Sequence, residues 1–153
     1  MNLNCNIFVR SILTVLSLHC SAIQAETRKI TLGVKPGLHF EPKVLHVLPG
    51  EEVELTFDNS DMMMHNFVLV KPGMRMGIVE AANALGAEGP KLDYVPVSEN
   101  VLASTPVVMP KKKATIRFKA PLKEDQYPYV CTFPGHGFLM HLSLIHISEP
   151  TRP

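Results

Sequence analysis

One stretch of the chain reads Cys131-Thr132-Phe133-Pro134-Gly135-His136-Gly137-Phe138-Leu139-Met140. It offers a thiol at Cys131, an imidazole at His136 and a thioether at Met140, all from one short loop. Two soft sulfur ligands and an imidazole suit copper better than a hard cation. The Pro-Gly pair in the middle is a turn signal and would bring His136 back towards Cys131. The stretch therefore predicts most of a copper site, at the point where one strand ends and the next begins.

The copper site still needs a second imidazole. Two His and one Cys in a trigonal arrangement, with a weak axial Met, are typical of electron-transfer copper proteins. His65, in the sequence Met64-His65-Asn66-Phe67, is the candidate. Taken singly, Cys131 could be an inert buried thiol and His136 a surface histidine in a turn, but the joint spacing favours a metal site. Zinc is a weaker fit, because a thioether is a poor zinc ligand.

Residues 1–25 have the pattern of a signal peptide. Arg10 is the only charged residue before Glu26, and residues 12–18 form a short apolar run. Ala25 supplies the small residue that signal peptidase requires, so we expect cleavage before Glu26. The apolar run is too short to anchor the chain in a bilayer. The sequence therefore predicts an exported protein, with the bacterial periplasm as its expected location.

Residues 142–153 are unusual for a different reason. From position 142 they read Leu-Ser-Leu-Ile-His-Ile-Ser-Glu-Pro-Thr-Arg, which resembles a sequencing adapter translated in frame. The alternative is an ordinary polar tail that resembles the adapter by chance. We expect read-through that is not native, so that one copper domain occupies residues 26–141 and its final strand is truncated.

Charge and cysteine content narrow the class of protein further. Residues 26–141 are formally neutral, whereas a nucleic-acid-binding domain is expected to carry a basic excess. Cys5 and Cys20 would leave with the signal peptide, so Cys131 would be the one thiol of the mature domain. An exported domain with a single thiol cannot form an internal disulfide, and metal ligation explains why the thiol is present.

The hydrophobic pattern predicts short strands around one helical excursion. Residues 29–35, 52–58 and 114–119 alternate between apolar and polar side chains, as half-buried strands do. Residues 78–85 are rich in Ala and favour a short helix that stops at Gly86. Further strands are expected at residues 43–48, 65–70, 106–109 and 127–131, and residues 88–105 are expected to be an insertion outside the sheets. Together these predict an antiparallel β-sandwich in a single domain.

The ligand loop resembles that of azurin and the auracyanins, type 1 (blue) copper proteins of the cupredoxin fold. Cys131-Thr132-Phe133-Pro134-Gly135-His136, followed by Met140, is its most specific part, and His65-Asn66 is similar to the family's first ligand His and the Asn after it. The helical excursion is similar to azurin's flap. The resemblance implies an all-β, Greek-key β-sandwich with a short helical insertion between strands.

The resemblance also implies roles for particular residues. His65, Cys131 and His136 would be equatorial ligands of one copper ion, and Met140 would be axial. Asn66 and Thr132 would hold the two ligand loops together. Azurin has a glycine at the position of Met64, and its carbonyl lies near the metal, so at most a weak carbonyl contact is expected from Met64. Azurin also has a disulfide near the start of the mature chain, which the expected mature domain, with Cys131 as its one thiol, cannot form.

The expected function is electron transfer between redox partners, with copper cycling between Cu(I) and Cu(II). Enzymatic activity is not expected, because a copper with four protein ligands has no open position for a substrate. The resemblance implies an apolar docking patch made of Met63, Gly137, Phe138 and Leu139. The partner would be a redox protein such as a cytochrome or a copper enzyme. This chain is expected to be a monomer. No nucleic-acid partner is expected.

Two alternatives remain open. The chain could be the copper-binding front module of a larger, truncated oxidoreductase. It could also be a periplasmic copper carrier, because thioethers suit Cu(I) and the chain has a methionine-rich segment. That segment comprises Met62, Met63, Met64, Met74 and Met76. The methionines are more simply explained as flexible apolar filler around the copper site.

Overall fold

The computed structural model describes residues 26–146. The predicted signal peptide lies outside the described residues, and so does the end of the tail, residues 147–153. The strands are β1 (Arg28–Lys35), β2 (His39–Glu41), β3 (Val44–Val47), β4 (Glu52–Asn59), β5 (Val68–Val70), β6 (Val101–Ser104), β7 (Lys112–Lys119), β8 (Gln126–Val130) and β9 (His141–His146). Between β5 and β6 lie helix α1 (Arg75–Ala84) and a 3-10 helix (Gly86–Leu92).

The strands form two sheets that face each other. One sheet has four strands in the order β2-β1-β4-β7, and the other has five in the order β3-β9-β8-β5-β6. Strand β4 shows why its sequence suits this position: Val53, Leu55 and Phe57 are fully buried, and the residues between them face outward. Because successive side chains of a strand point to opposite faces, every second residue of β4 packs against the opposite sheet. The predicted all-β sandwich with a helical insertion is confirmed.

The prediction that the sheets are entirely antiparallel is wrong. Strands β1 and β4 pair in parallel, and so do β3 and β9. The reason is the path of the chain. Between β1 and β4 the chain crosses to the other sheet through β3 and returns, so β4 arrives beside β1 running in the same direction. Parallel neighbours need such a crossover, which the periodicity of individual strands does not reveal.

Two local predictions also need correction. Residues 88–105 were expected to lie outside the sheets, but their last part forms β6, which pairs with β5 at the sheet edge. This strand is short, and its side chains are half-buried or exposed without clear alternation, so it lacks the usual signal. Residues 106–109 were expected to form a strand, but only Val108 pairs, in an isolated bridge with His65. Pro106 cannot donate a hydrogen bond to a ladder.

Strand β9 begins at the residue after Met140 and lies between β3 and β8. Its Leu144 is fully buried, so residues 141–146 complete the second sheet. That residues 142–153 are read-through stays a prediction.

The core lies between the two sheets and is largely aromatic at its centre. Phe40 packs edge-on against Phe57 and Tyr129, with ring centroids 6.1 and 5.1 Å apart. Each fully buried side chain of this size contributes about 1.5–3 kcal/mol. Cys131 and Met140 belong to the same buried cluster, so the candidate site is continuous with the hydrophobic core. Within residues 26–146, neither helix is long and apolar enough to cross a membrane.

Candidate metal centre

Strands β8 and β9 bring the two sulfur-bearing residues together. They are antiparallel neighbours, and Val130 at the end of one pairs with His141 at the start of the other. Cys131 and Met140 therefore meet where the strands end, and the Cys131 N–H donates to the Met140 carbonyl at 3.0 Å. Both side chains are fully buried.

The loop between these strands is folded by its own backbone. The His136 N–H donates to the Phe133 carbonyl at 3.0 Å, and the Met140 N–H donates to the His136 carbonyl at 2.8 Å. Gly135 has a φ of 82°, a left-handed conformation that glycine adopts without strain. This turn returns His136 to the side of Cys131, as the Pro-Gly pair predicted.

His65 comes from the opposite side of the pocket, in the segment between β4 and β5. Its backbone forms a bridge with Val108, through hydrogen bonds of 3.3 and 2.7 Å. Its ring is fully buried, whereas His136 keeps 8% of its surface exposed. The His136 ring is therefore the one that approaches the surface.

The donor atoms of His65, Cys131 and His136 form a compact triangle. Cys131 Sγ lies 3.7 Å from His65 Nδ1 and 3.6 Å from His136 Nδ1, and the two Nδ1 atoms are 3.2 Å apart. An ion equidistant from these three atoms would lie about 2.0 Å from each, close to the metal–ligand distances of about 2.0–2.3 Å found for His and Cys. The arrangement therefore fits a trigonally coordinated metal ion.

Burial sets the charge of this pocket. It raises the pKa of the Cys131 thiol to about 11, although hydrogen bonds from the backbone N–H groups of Asn66 and Phe133 oppose the shift. Burial also lowers the pKa of His65, against the attraction of Asp61, and lowers the pKa of His136. Near neutral pH the pocket thus holds a protonated thiol and two neutral imidazoles. A metal ion that binds there must displace the thiol proton.

Asn66 and Thr132 join the two ligand-bearing segments. Asn66 Nδ2 donates to Thr132 Oγ1 at 2.9 Å, and the Thr132 N–H donates to Asn66 Oδ1 at 2.8 Å. Asn66 Nδ2 also donates to the Asp93 carbonyl at 2.8 Å. Both side chains are buried, so these bonds tie His65 and Cys131 together through their chain neighbours.

Two side chains that were not predicted also contact the site. Asp61 Oδ2 lies 3.1 Å from His65 Nε2, and Arg75 Nη1 donates to the Gly137 carbonyl at 3.2 Å. Asp61 had a sequence signal, because it precedes His65 by four residues within a turn. Arg75 had none, since its contact depends on how α1 packs against the ligand loop.

The predicted docking patch is exposed at three of its four positions. Met63, Phe138 and Leu139 have 43%, 52% and 68% of their surface exposed. Gly137 is buried and does not belong to this surface. A Cβ atom added there would lie 2.6 Å from Val79 Cγ2, so the backbone of Gly137 packs directly against α1. Met64 is half-buried.

Fold and site together define a class of protein, the β-sandwich proteins with a Cys/His/His copper centre. The plastocyanin/azurin family of copper binding proteins matches residues 28–145. The chain belongs to this family: it is a cupredoxin-like blue copper protein whose cofactor is one copper ion, and not an enzyme.

Individual relatives agree with this assignment. Auracyanin-A of Chloroflexus aurantiacus is 35% identical over 113 residues, which cover 71% of this chain and 67% of the relative. Azurin of Pseudomonas aeruginosa is 36% identical over 83 residues, covering 52% of this chain and 54% of the azurin. The solved structure of auracyanin A, a "blue" copper protein of Chloroflexus aurantiacus, has a TM-score of 0.72 at 33% identity and covers 80% of this chain and all of that one.

Proposed function

We propose that the protein is an exported, periplasmic carrier of single electrons. In this proposal His65, Cys131 and His136 are the equatorial copper ligands and Met140 is the axial one, with at most a weak carbonyl contact from Met64. The observation that supports it best is the buried triangle of donor atoms, with sides of 3.2 to 3.7 Å. The ligand set has the soft sulfur character that copper prefers.

Copper supplies a one-electron couple, and the residues around it determine how little must move when that couple cycles. The bonds between Asn66 and Thr132, and between Cys131 and Met140, hold the donors before a metal arrives. A site held in this way relaxes little between oxidation states. The proposed set of four side chains also leaves no open position for a substrate, which favours electron transfer over catalysis at the metal.

The surface above His136 suits brief contacts with a redox protein. We define the apolar patch as three exposed residues: Met63, which lies two positions before His65, and Phe138 and Leu139, which lie in the loop that carries His136. An electron would leave through the His136 ring, and a partner such as a cytochrome or a copper enzyme would cover the apolar patch. Small interfaces of this kind are typical of transient redox encounters. We propose a monomer in solution.

Copper loading tests this proposal. The full chain, loaded with Cu(II), should show an intense blue sulfur-to-copper charge-transfer band and a type 1 EPR spectrum. Cys131→Ser should remove the band, because a hydroxyl replaces the thiolate. His46→Gln is the matched control, since His46 is exposed on β3 and should not affect the colour. A pale, tetragonal-type signal from the wild-type protein, or a full band in Cys131→Ser, would contradict the proposal.

A further inference from the structure

The turn that follows β4 lies against the outer nitrogen of His65. Asp61 Oδ2 is 3.1 Å from His65 Nε2, and the other carboxylate oxygen accepts the Met62 N–H at 2.7 Å. The Asp61 side chain is only 13% exposed. Both oxygens are thus engaged, and one of them faces the buried imidazole.

A buried amide holds Asp61 in this position. Asn59 is fully buried, and its Oδ1 accepts the Asp61 N–H at 3.1 Å. Its Nδ2 donates to the carbonyls of Met63 and Val108, at 2.7 and 2.8 Å. Val108 is the residue whose backbone bridges to His65. One network therefore fixes both the backbone of His65 and the carboxylate that contacts its ring.

This contact determines which nitrogen of His65 is available to a metal. When Nε2 donates its hydrogen to Asp61, the lone pair lies on Nδ1, the atom that faces Cys131 and His136. A carboxylate that accepts this hydrogen bond also makes the imidazole a stronger electron donor. Its negative charge stabilises Cu(II) more than Cu(I), because the oxidised ion carries the larger positive charge.

We propose that Asp61 is a positioning residue that fixes the Nδ1-binding form of His65 and lowers the reduction potential of the copper. The inference rests on the function proposed above and deepens it: besides the ligands, this chain uses a carboxylate–histidine pair to set the balance between Cu(II) and Cu(I). Within residues 26–146, His136 has no carboxylate in hydrogen-bonding contact, so the effect belongs to His65.

The potential of copper-loaded variants is the first test. Asp61→Asn should shift the equilibrium towards Cu(I) by at least about tenfold, which corresponds to a rise of about 59 mV for a one-electron couple. Cu(II) affinity should fall by about 10- to 100-fold. Asp58→Asn is the matched control, because Asp58 is a neighbouring carboxylate on β4 that pairs with Lys113 at 2.7 Å instead of with His65. Equal shifts in the two variants would overturn the proposal.

A second measurement needs no copper cycling and no stable variant. In NMR spectra of the wild-type Cu(I) protein, the Nε2 proton of His65 should exchange slowly with water, because it is held by Asp61. In Asp61→Ala the signal should exchange fast or disappear. Fast exchange in the wild-type protein would overturn the inference even if every variant failed to fold. If the wild-type protein forms no blue site, the proposed function fails; if it is blue and Asp61→Asn leaves the potential unchanged, only the role of Asp61 fails.

Discussion

At the scale of single residues, the main physical problem is that Cys131 is a thiol whose side chain is fully buried. The thiol is stable there because it stays protonated, and the two histidines beside it stay neutral. A metal ion changes this balance, because it replaces the proton and lets the thiolate exist where burial alone forbids it.

The first consequence is pH-dependent copper binding. Burial raises the pKa of Cys131 to about 11, so the thiol is protonated at pH 7 and at pH 9. The pKa values of His65 and His136 are lowered, so neither ring contributes a proton in this range. Binding of Cu(II) should release about one proton, and the apparent affinity should rise about tenfold per pH unit between pH 7 and 9.

Calorimetry of the metal-free protein in two buffers of different ionisation enthalpy measures the number of protons released. Cys131→Ser is the control, and it should release almost none. An affinity that stays constant between pH 7 and 9 would show that the buried thiol is already ionised.

The second residue-scale prediction concerns the axial position. Met140→Leu keeps the volume of the fully buried side chain, so the cost in stability should stay below about 1.5 kcal/mol. The blue colour should remain, because the thiolate is intact. The reduction potential should rise, since Cu(I) tolerates the loss of a weak ligand better than Cu(II). Voltammetry measures the reduction potential of the variant. Met109→Leu is the control, because Met109 is exposed. An unchanged potential in Met140→Leu would mean that Met140 is not axial.

At the scale of elements, α1 supports the ligand loop from outside. Arg75 at its first turn donates to the Gly137 carbonyl, and Val79 on its buried face contacts Gly137. The helical insertion therefore does more than connect β5 to β6. It closes the side of the loop that the sheets leave uncovered, and only a glycine fits beneath it.

Gly137→Ala tests this contact. The added Cβ would lie 2.6 Å from Val79 Cγ2 and 3.1 Å from the Cys131 carbonyl, so the ligand loop must shift. We expect a loss of about 1–3 kcal/mol in the free energy of unfolding, typical of overpacking, and a changed visible spectrum. Urea titration and absorption spectra measure both.

The matched control is Gly77→Ala, a glycine of α1 with nothing within 4 Å of an added Cβ. It should stabilise the protein slightly, because alanine is a better helix former. A fully stable Gly137→Ala variant with an unchanged spectrum would mean that the loop is not packed against α1.

At the scale of the whole molecule, the sandwich has two different poles. Asn59 pairs with Lys112 at the end of β4 near the site, whereas Glu52 pairs with Lys119 at the opposite end. The buried donors and the apolar patch share the first pole, so a protein that docks there approaches the copper site. Leu122 follows β7 at the opposite pole and is 77% exposed.

Electron self-exchange between oxidised and reduced copies reports on this surface without requiring a known partner. Leu139→Lys should slow self-exchange by about tenfold or more, because two copies would meet with like charges and less apolar contact. Leu122→Lys adds the same charge at the far pole and should change the rate little. The visible spectrum should be unaffected in both variants. Equal rates for the two variants, measured by NMR line broadening, would rule out the apolar patch as the exchange surface.

Much of the site was predictable because it is local in the chain. Cys131, His136 and Met140 lie within one loop, where the spacing and the Pro-Gly turn already restrict the geometry. The strands with clean alternation, such as β4, were predictable for the same reason. Strand β6 and the bridge at Val108 were not, because their partners, and not their own side-chain pattern, make them part of the sheet.

The amino-acid sequence alone specified the chemistry: three candidate ligands in one loop, a fourth at His65, and the kind of metal that they suit. The tertiary structure decided which atoms meet, including the contact between Asp61 and His65 Nε2, the support of Gly137 by α1 and the parallel pairing of β1 with β4. The difference lies in how far apart along the chain the interacting residues are. Ligand identity and turn formation depend on neighbouring residues. His65 and Cys131 are separated by 66 positions and approach because β5 and β8, which adjoin them, pair in the same sheet with Val68 opposite Val130.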